Sequence, residues 1–129
     1  MVVKKNPVEE ARRYLANARE ILSTKANKED GLYQDTKYVK MAGHKAYAGV
    51  LVALDGLLGK KIKGRKNVDW YFEGVAAFDK KLVSRFDAVY NTLHLALAYD
   101  GNPDARVAMA GLEQAEKIID WVESRLAQG

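Results

Sequence analysis

The stretch from Tyr38 to Leu58, YVKMAGHKAYAGVLVALDGLL, constrains this chain more than any other. Between Ala46 and Leu54 it holds no charged side chain, while Lys40, His44, Lys45 and Asp55 stand toward its ends. A helix that is apolar on every side must be surrounded by protein or lipid. The uncharged run is far shorter than the roughly 20 residues needed to span a bilayer. The segment is therefore expected to be a central or interface helix, with no membrane involved.

Two kinds of residue alternate along it. Tyr47, Val50, Leu51, Leu54, Leu57 and Leu58 are large, whereas Ala42, Ala46, Gly49, Ala53 and Gly56 recur at steps of four and three. Glycine costs about 1 kcal/mol relative to alanine inside a helix. Gly43, Gly49 and Gly56 therefore imply close approach of another helix, from the same chain or from a second subunit. A small-ligand groove is the alternative reading of this stripe.

The flanking segments read as helices too. Asn6 and Pro7 supply a capping side chain and a residue preset for the first helical turn. Val8, Ala11, Leu15, Ala18 and Leu22 then keep heptad spacing, which predicts one buried face and leaves Arg12, Arg13 and Arg19 to pair with Glu9 and Glu20 at the surface. Residues 26–34 read as a loop. Asn67 is placed to cap a helix whose stripe runs from Val68 to Ala96. As one helix, Val68 to Tyr99 would be about 48 Å long, against roughly 25 to 36 Å for the others. A break near Phe78 and Asp79 is expected, with Asp79 as the second cap. Asn102 and Pro103 repeat the opening pair before a last stripe, Ala108, Leu112, Ala115, Ile119, Val122 and Leu126.

Short connections and the lack of a period-two run point to an all-α, antiparallel four- to five-helix up-and-down bundle, one domain over residues 1–129. The chain has no cysteine, which removes thiolate metal sites and thiol nucleophiles. MVVKKNPVEE carries no apolar signal core. A cytoplasmic location is the expectation.

The net charge is +4, and Lys60, Lys61, Lys63, Arg65 and Lys66 account for the excess, since the remainder is close to neutral. This basic loop is a solvated connection or a candidate anion-binding element. Trp70 and Tyr71 follow it and suggest either an anchor for the next helix or a platform for bases.

No catalytic motif is complete. Di-iron bundles use Glu-x-x-His pairs, but Met41 and Asn91 stand three residues before His44 and His94. Phosphate-loop and serine-elbow spacings are missing. No metal or cofactor is implied. What remains is a candidate polar or ligand site: Lys40, His44 and Tyr47 on one helix, with Asp87, Tyr90, Asn91 and His94 on another. Histidine is the natural proton carrier there, with Asp87 or Asn91 placed to orient His94. Tyr38 is a further candidate lining residue.

KYVKMAGHKAYAGVLVALD (Lys37 to Asp55) and LHLALAYDG (Leu93 to Gly101) resemble a family of small bacterial proteins, a domain family of unknown function. The two-helix opening is more distantly similar to the HEPN superfamily of antiparallel bundles. That resemblance implies homodimers and, in some members, nucleotide or RNA chemistry. HEPN ribonucleases place an arginine four to six residues before a histidine. Arg85 lies too far ahead of His94, so no catalytic residue is carried over. The sequence therefore suggests a non-enzymatic interaction module, homodimeric or bound to a protein partner. A nucleotide or RNA binder and a small-ligand bundle are the alternatives.

Overall fold

The heptad stripes become helices in a computed structural model, which describes residues 6–59 and 62–128. Helix α1 spans Pro7–Thr24, α2 Thr36–Leu58, α3 Val68–Phe78, α4 Lys81–Val89 and α5 Ala105–Ala127, and a π-helical segment, Tyr90–Tyr99, continues α4. The architecture is an all-α bundle. Asn6 caps α1 as its side chain predicts: Oδ1 accepts from the N–H of Val8 at 2.9 Å. Asn67 does the same for α3 through Trp70 N–H, also at 2.9 Å.

The break after α3 falls where the length argument places it. α3 ends at Phe78, and Asp79 Oδ1 accepts from Lys81 N–H at 3.0 Å to start α4. The last helix begins later than its Asn-Pro pair predicts. Asn102 Oδ1 instead takes the N–H of Asp104, and Asp104 caps α5 by accepting from Arg106 N–H. An asparagine makes a local turn as readily as a helix cap, and here it makes the turn.

Residues 26–34 are not a plain loop. Lys28–Glu29 (β1) and Leu32–Tyr33 (β2) form a two-stranded antiparallel hairpin. Its turn pair, Asp30 and Gly31, has φ of 51° and 78°, which suits the tight turn that twists with its strands. The hairpin is tied to the start of α5: Tyr33 N–H donates to Pro103 O at 2.8 Å, and Ala105 N–H donates to Gly31 O at 3.0 Å.

α2 is the central element, packed chiefly on α1 and the π segment and also on α5. Val39, Ala42, Ala46, Val50, Ala53 and Leu54 are fully buried along it. They meet Leu15 and Ala18 of α1, Phe86 of α4, Leu93 and Leu97 of the π segment, and Ile118, Ile119 and Val122 of α5 in one core. The small-residue stripe is the seat of α1. A Cβ added at Gly49 would lie 2.8 Å from Tyr14 Cβ, and one at Gly56 would lie 2.5 Å from Pro7 Cγ. Ala42, Ala46 and Ala53 are buried with them. The expected close helix contact is thus made within the chain, and that face is not free for a second subunit or a ligand.

Arg12 and Arg19 also look away from the partners their own helix offers. Arg12 reaches Asp120 at 2.8 Å and Glu123 at 3.2 Å, and Arg19 pairs with Glu116. Arg13 alone of the three stays local, on Glu10. Antiparallel packing of α1 beside α5 brings these acids closer than a neighbouring turn does.

Candidate functional site

The sequence pattern from Tyr90 to Tyr99 reads as ordinary α-helix, yet the backbone widens there. Asp100 N–H donates to Leu95 O at 2.9 Å, one residue further back than in an α-helix. A π stretch of 10 residues is unusual, since such geometry normally occurs as single turns. Two local causes are visible. Thr92 Oγ1 donates to Ala88 O at 2.7 Å and Asn91 Nδ2 to Asp87 O at 2.9 Å, so side chains engage carbonyls that the helical ladder would use. Gly43 also admits the backbone of this segment, since a Cβ there would stand 2.6 Å from Ala98 N, and Gly111 makes room for the Thr92 side chain, with a Cβ 2.5 Å from its Oγ1.

Tyr90 and His94, four residues apart, are neighbours on this segment, and the site is built around that pair. The Tyr90 and His94 ring centroids are 5.1 Å apart. Tyr47 of α2 stacks on the same imidazole at 4.7 Å, with 30° between planes. Tyr47 and Tyr90 meet edge to face at 6.2 Å. Phe72 and Phe86 extend the cluster. His94 is half-buried, and its Nδ1 is buried without a hydrogen-bond partner. Burial, followed by the charge of His44, lowers the His94 pKa. Burial, with a smaller contribution from Tyr90, pushes the Tyr47 hydroxyl up to about 12.

The structure therefore assembles Tyr47, Tyr90 and His94 and brings His44 within electrostatic range. It does not bring the other sequence candidates to the ring. The amide of Asn91 is spent on its own helix, Asp87 is exposed, and neither hydrogen-bonds to His94; the π turn displaces them from the common face an α-helix would give. Lys40 lies along the Gly101 turn, where a Cβ would be 3.1 Å from Lys40 Cε. Tyr38 is elsewhere, its ring between Lys25 and Lys37 at 5.6 Å and 4.8 Å. With no carboxylate behind it, the imidazole lacks the orienting group expected of a general base.

The basic loop is only partly described. Lys60 and Lys61 lie outside the described residues. Lys63, Arg65 and Lys66 are exposed, and Lys66 Nζ sits 3.4 Å from Asp55 Oδ1. Trp70 and Tyr71 are buried, so they anchor α3 and offer no stacking surface. The Tyr71 hydroxyl donates to Asp55 at 2.9 Å; burial first, then this carboxylate, raises its pKa. Among the described residues no group of three or more His, Asp or Glu converges as a metal site, and no helix is long and apolar enough to cross a membrane.

A feature of α2 completes the picture. Its outward side carries Met41, 45% exposed, with Ala48, Leu51 and Val52 partly exposed. Met41 and Ala48 line a shallow hollow of about 450 Å³ with Tyr14, His44 and Lys45. The signal for this surface was present in the sequence, as apolarity on all sides of one helix.

Over residues 6–124 the chain matches the family model described as Domain of unknown function (DUF5618). It belongs to this family. A solved structure described as a protein of unknown function from Dyadobacter fermentans is 57% identical, covers 93% of this chain and 95% of its own, and superposes with a TM-score of 0.86. No curated protein matches the chain significantly. The family and this relative fix the fold of the DUF5618 domain and bring no activity with them.

Proposed function

We propose that this DUF5618 chain is a helical-bundle interaction module that associates with a second copy of itself through the outward side of α2. The observation that supports this reading is the exposure of Met41, at 45%, on a side of α2 that also presents Ala48, Leu51 and Val52 together with His44 and Lys45. The small-residue stripe is already occupied by α1, so this strip is the part of α2 still open to a partner. Apolar side chains left exposed beside one another on a helix mark an interaction site. Pairing of one helix with its own copy gives a self-complementary, two-fold contact, the commonest symmetry of oligomers.

The histidine and tyrosine cluster borders this strip through His44. Nucleic acid is the weaker reading, because the aromatic pair beside the basic loop is buried and Lys66 is engaged by Asp55. Light scattering across a micromolar concentration series tests the proposal. A dimer is expected, and Met41→Glu and Val52→Glu should each give a monomer that keeps the helical circular dichroism of the parent and melts at a temperature independent of concentration. A strictly monomeric parent chain, or a dimer that survives both substitutions, overturns it.

A further inference from the structure

Arg85 is half-buried on α4, and its guanidinium has a neutral partner: Nη1 donates to Gln114 Oε1 of α5 at 3.1 Å. No carboxylate pairs with it among the described residues. A guanidinium carries five N–H donors, so most of its hydrogen-bonding capacity and all of its charge remain uncommitted. Two adjoining hollows between α4 and α5, of about 390 Å³ and 500 Å³, both include Arg85 and Lys81 in their walls. The first is otherwise lined by Ser84, Ala88 and Gln114, and the second runs on to Lys117 and Trp121.

The acids of this groove are already engaged. Asp79 turns back to its own helix, accepting from Lys81 N–H, and Asp120 is held by Arg12 at 2.8 Å. Lys117 is shared with Glu113 at 3.5 Å. Lys81 has no ion-pair partner among the described residues and stands on the first turn of α4, whose backbone start is already capped by Asp79. A forked guanidinium and an ammonium facing one groove are elements that recognise a phosphate.

We propose that the α4–α5 groove is a phosphate-binding site, with Arg85 as the fork and Lys81 as the second charge. The phosphate is a free dianion or the terminal group of a small ester. The site is independent of the α2 strip, and the two proposals fail separately.

The test is a titration of the full chain with inorganic phosphate and with phenyl phosphate at constant ionic strength. Arginine side-chain and backbone amide resonances are followed by NMR. Saturable shifts confined to Arg85 and the amides of residues 81–85 are expected. Arg85→Gln should weaken binding at least about tenfold, the loss of one charged hydrogen-bond pair, and Lys81→Gln should weaken it by a smaller factor. Lys81 is exposed, so that variant keeps the fold even where Arg85→Gln does not. Tighter binding of phenyl phosphate assigns the site to an ester that reaches Trp121; equal binding assigns it to the free ion. Shifts spread over the basic loop, an equal response to acetate, or affinity unchanged in Lys81→Gln and Arg85→Gln overturns the proposal.

Discussion

Gly43→Ala is the most demanding test of how α2 and the π segment fit together. In an unobstructed helix the change would stabilise, because alanine is better than glycine by about 1 kcal/mol. Here the new methyl would sit 2.6 Å from Ala98 N, 2.7 Å from Leu97 Cβ and 2.8 Å from Leu93 O. Two of these are backbone atoms and the third is fixed to backbone, so no rotamer change relieves the clash. Overpacking of a well-filled core costs roughly 1–3 kcal/mol, and three rigid contacts place this site at the upper end.

The expected net loss is therefore about 2 kcal/mol. For a chain of this size that corresponds to a fall in Tm of roughly 6–10 °C. Thermal unfolding followed by circular dichroism measures it, with urea titration as the second readout. Resonances of His94 and Tyr90 should shift in the folded variant, because the π segment has to move away from α2. An unchanged or raised Tm would mean that the two backbones do not approach as described, and the account of the site would fail with it.

Two further outcomes follow from the same geometry. His94 has a pKa below its ordinary 6.5, so the unfolded chain takes up a proton before the native one does. Stability should then hold above that value, decline as pH falls through it, and level off below the folded pKa; urea midpoints at about pH 7.5 and about pH 5.5 measure the slope, and His94→Gln should flatten it. Arg12 is 39% exposed with Asp120 and Glu123 at 65% and 61%, so solvent screening limits the contact. A double-mutant cycle of Arg12→Ala with Asp120→Ala should give a coupling of about 0.5 kcal/mol that vanishes at high salt, and a coupling that persists in high salt would contradict this.

The helices and the core were legible because their signals are local. Apolar spacing set the buried faces of α1 and of α5 as far as Val122, beyond which Leu126 is exposed; Asn6 and Asn67 marked two starts, and the excessive length of a single Val68–Tyr99 helix required the break at Asp79. The glycines of α2 announced a close contact, since nothing else justifies their cost in a helix. What they could not announce was the partner. Steric demand at Gly49 and Gly56 is the same whether the neighbour is α1 or a second subunit, and only the fold chooses α1.

The site was less legible for a related reason. Periodicity assumes one number of residues per turn, and from Tyr90 onward that number changes. The assumption placed Asp87, Asn91 and His94 on one face; in the structure Tyr90, already one turn away in the sequence, and Tyr47 of α2 pack on the imidazole, while the Asn91 amide is spent on Asp87 O. Asp30 and Gly31 carried a readable hairpin signal, but two-residue strands are too short to show alternation. Arg85 entered the sequence reading only as an arginine too far ahead of His94, and its partner across the bundle, Gln114 of α5, could not be read from spacing. The sequence by itself thus determined which residues form helices and which of their faces are buried, because those follow from interactions within a few turns. Only the tertiary structure decided which surfaces meet, where the helix widens and which charges are left without partners, because each depends on groups distant in the chain.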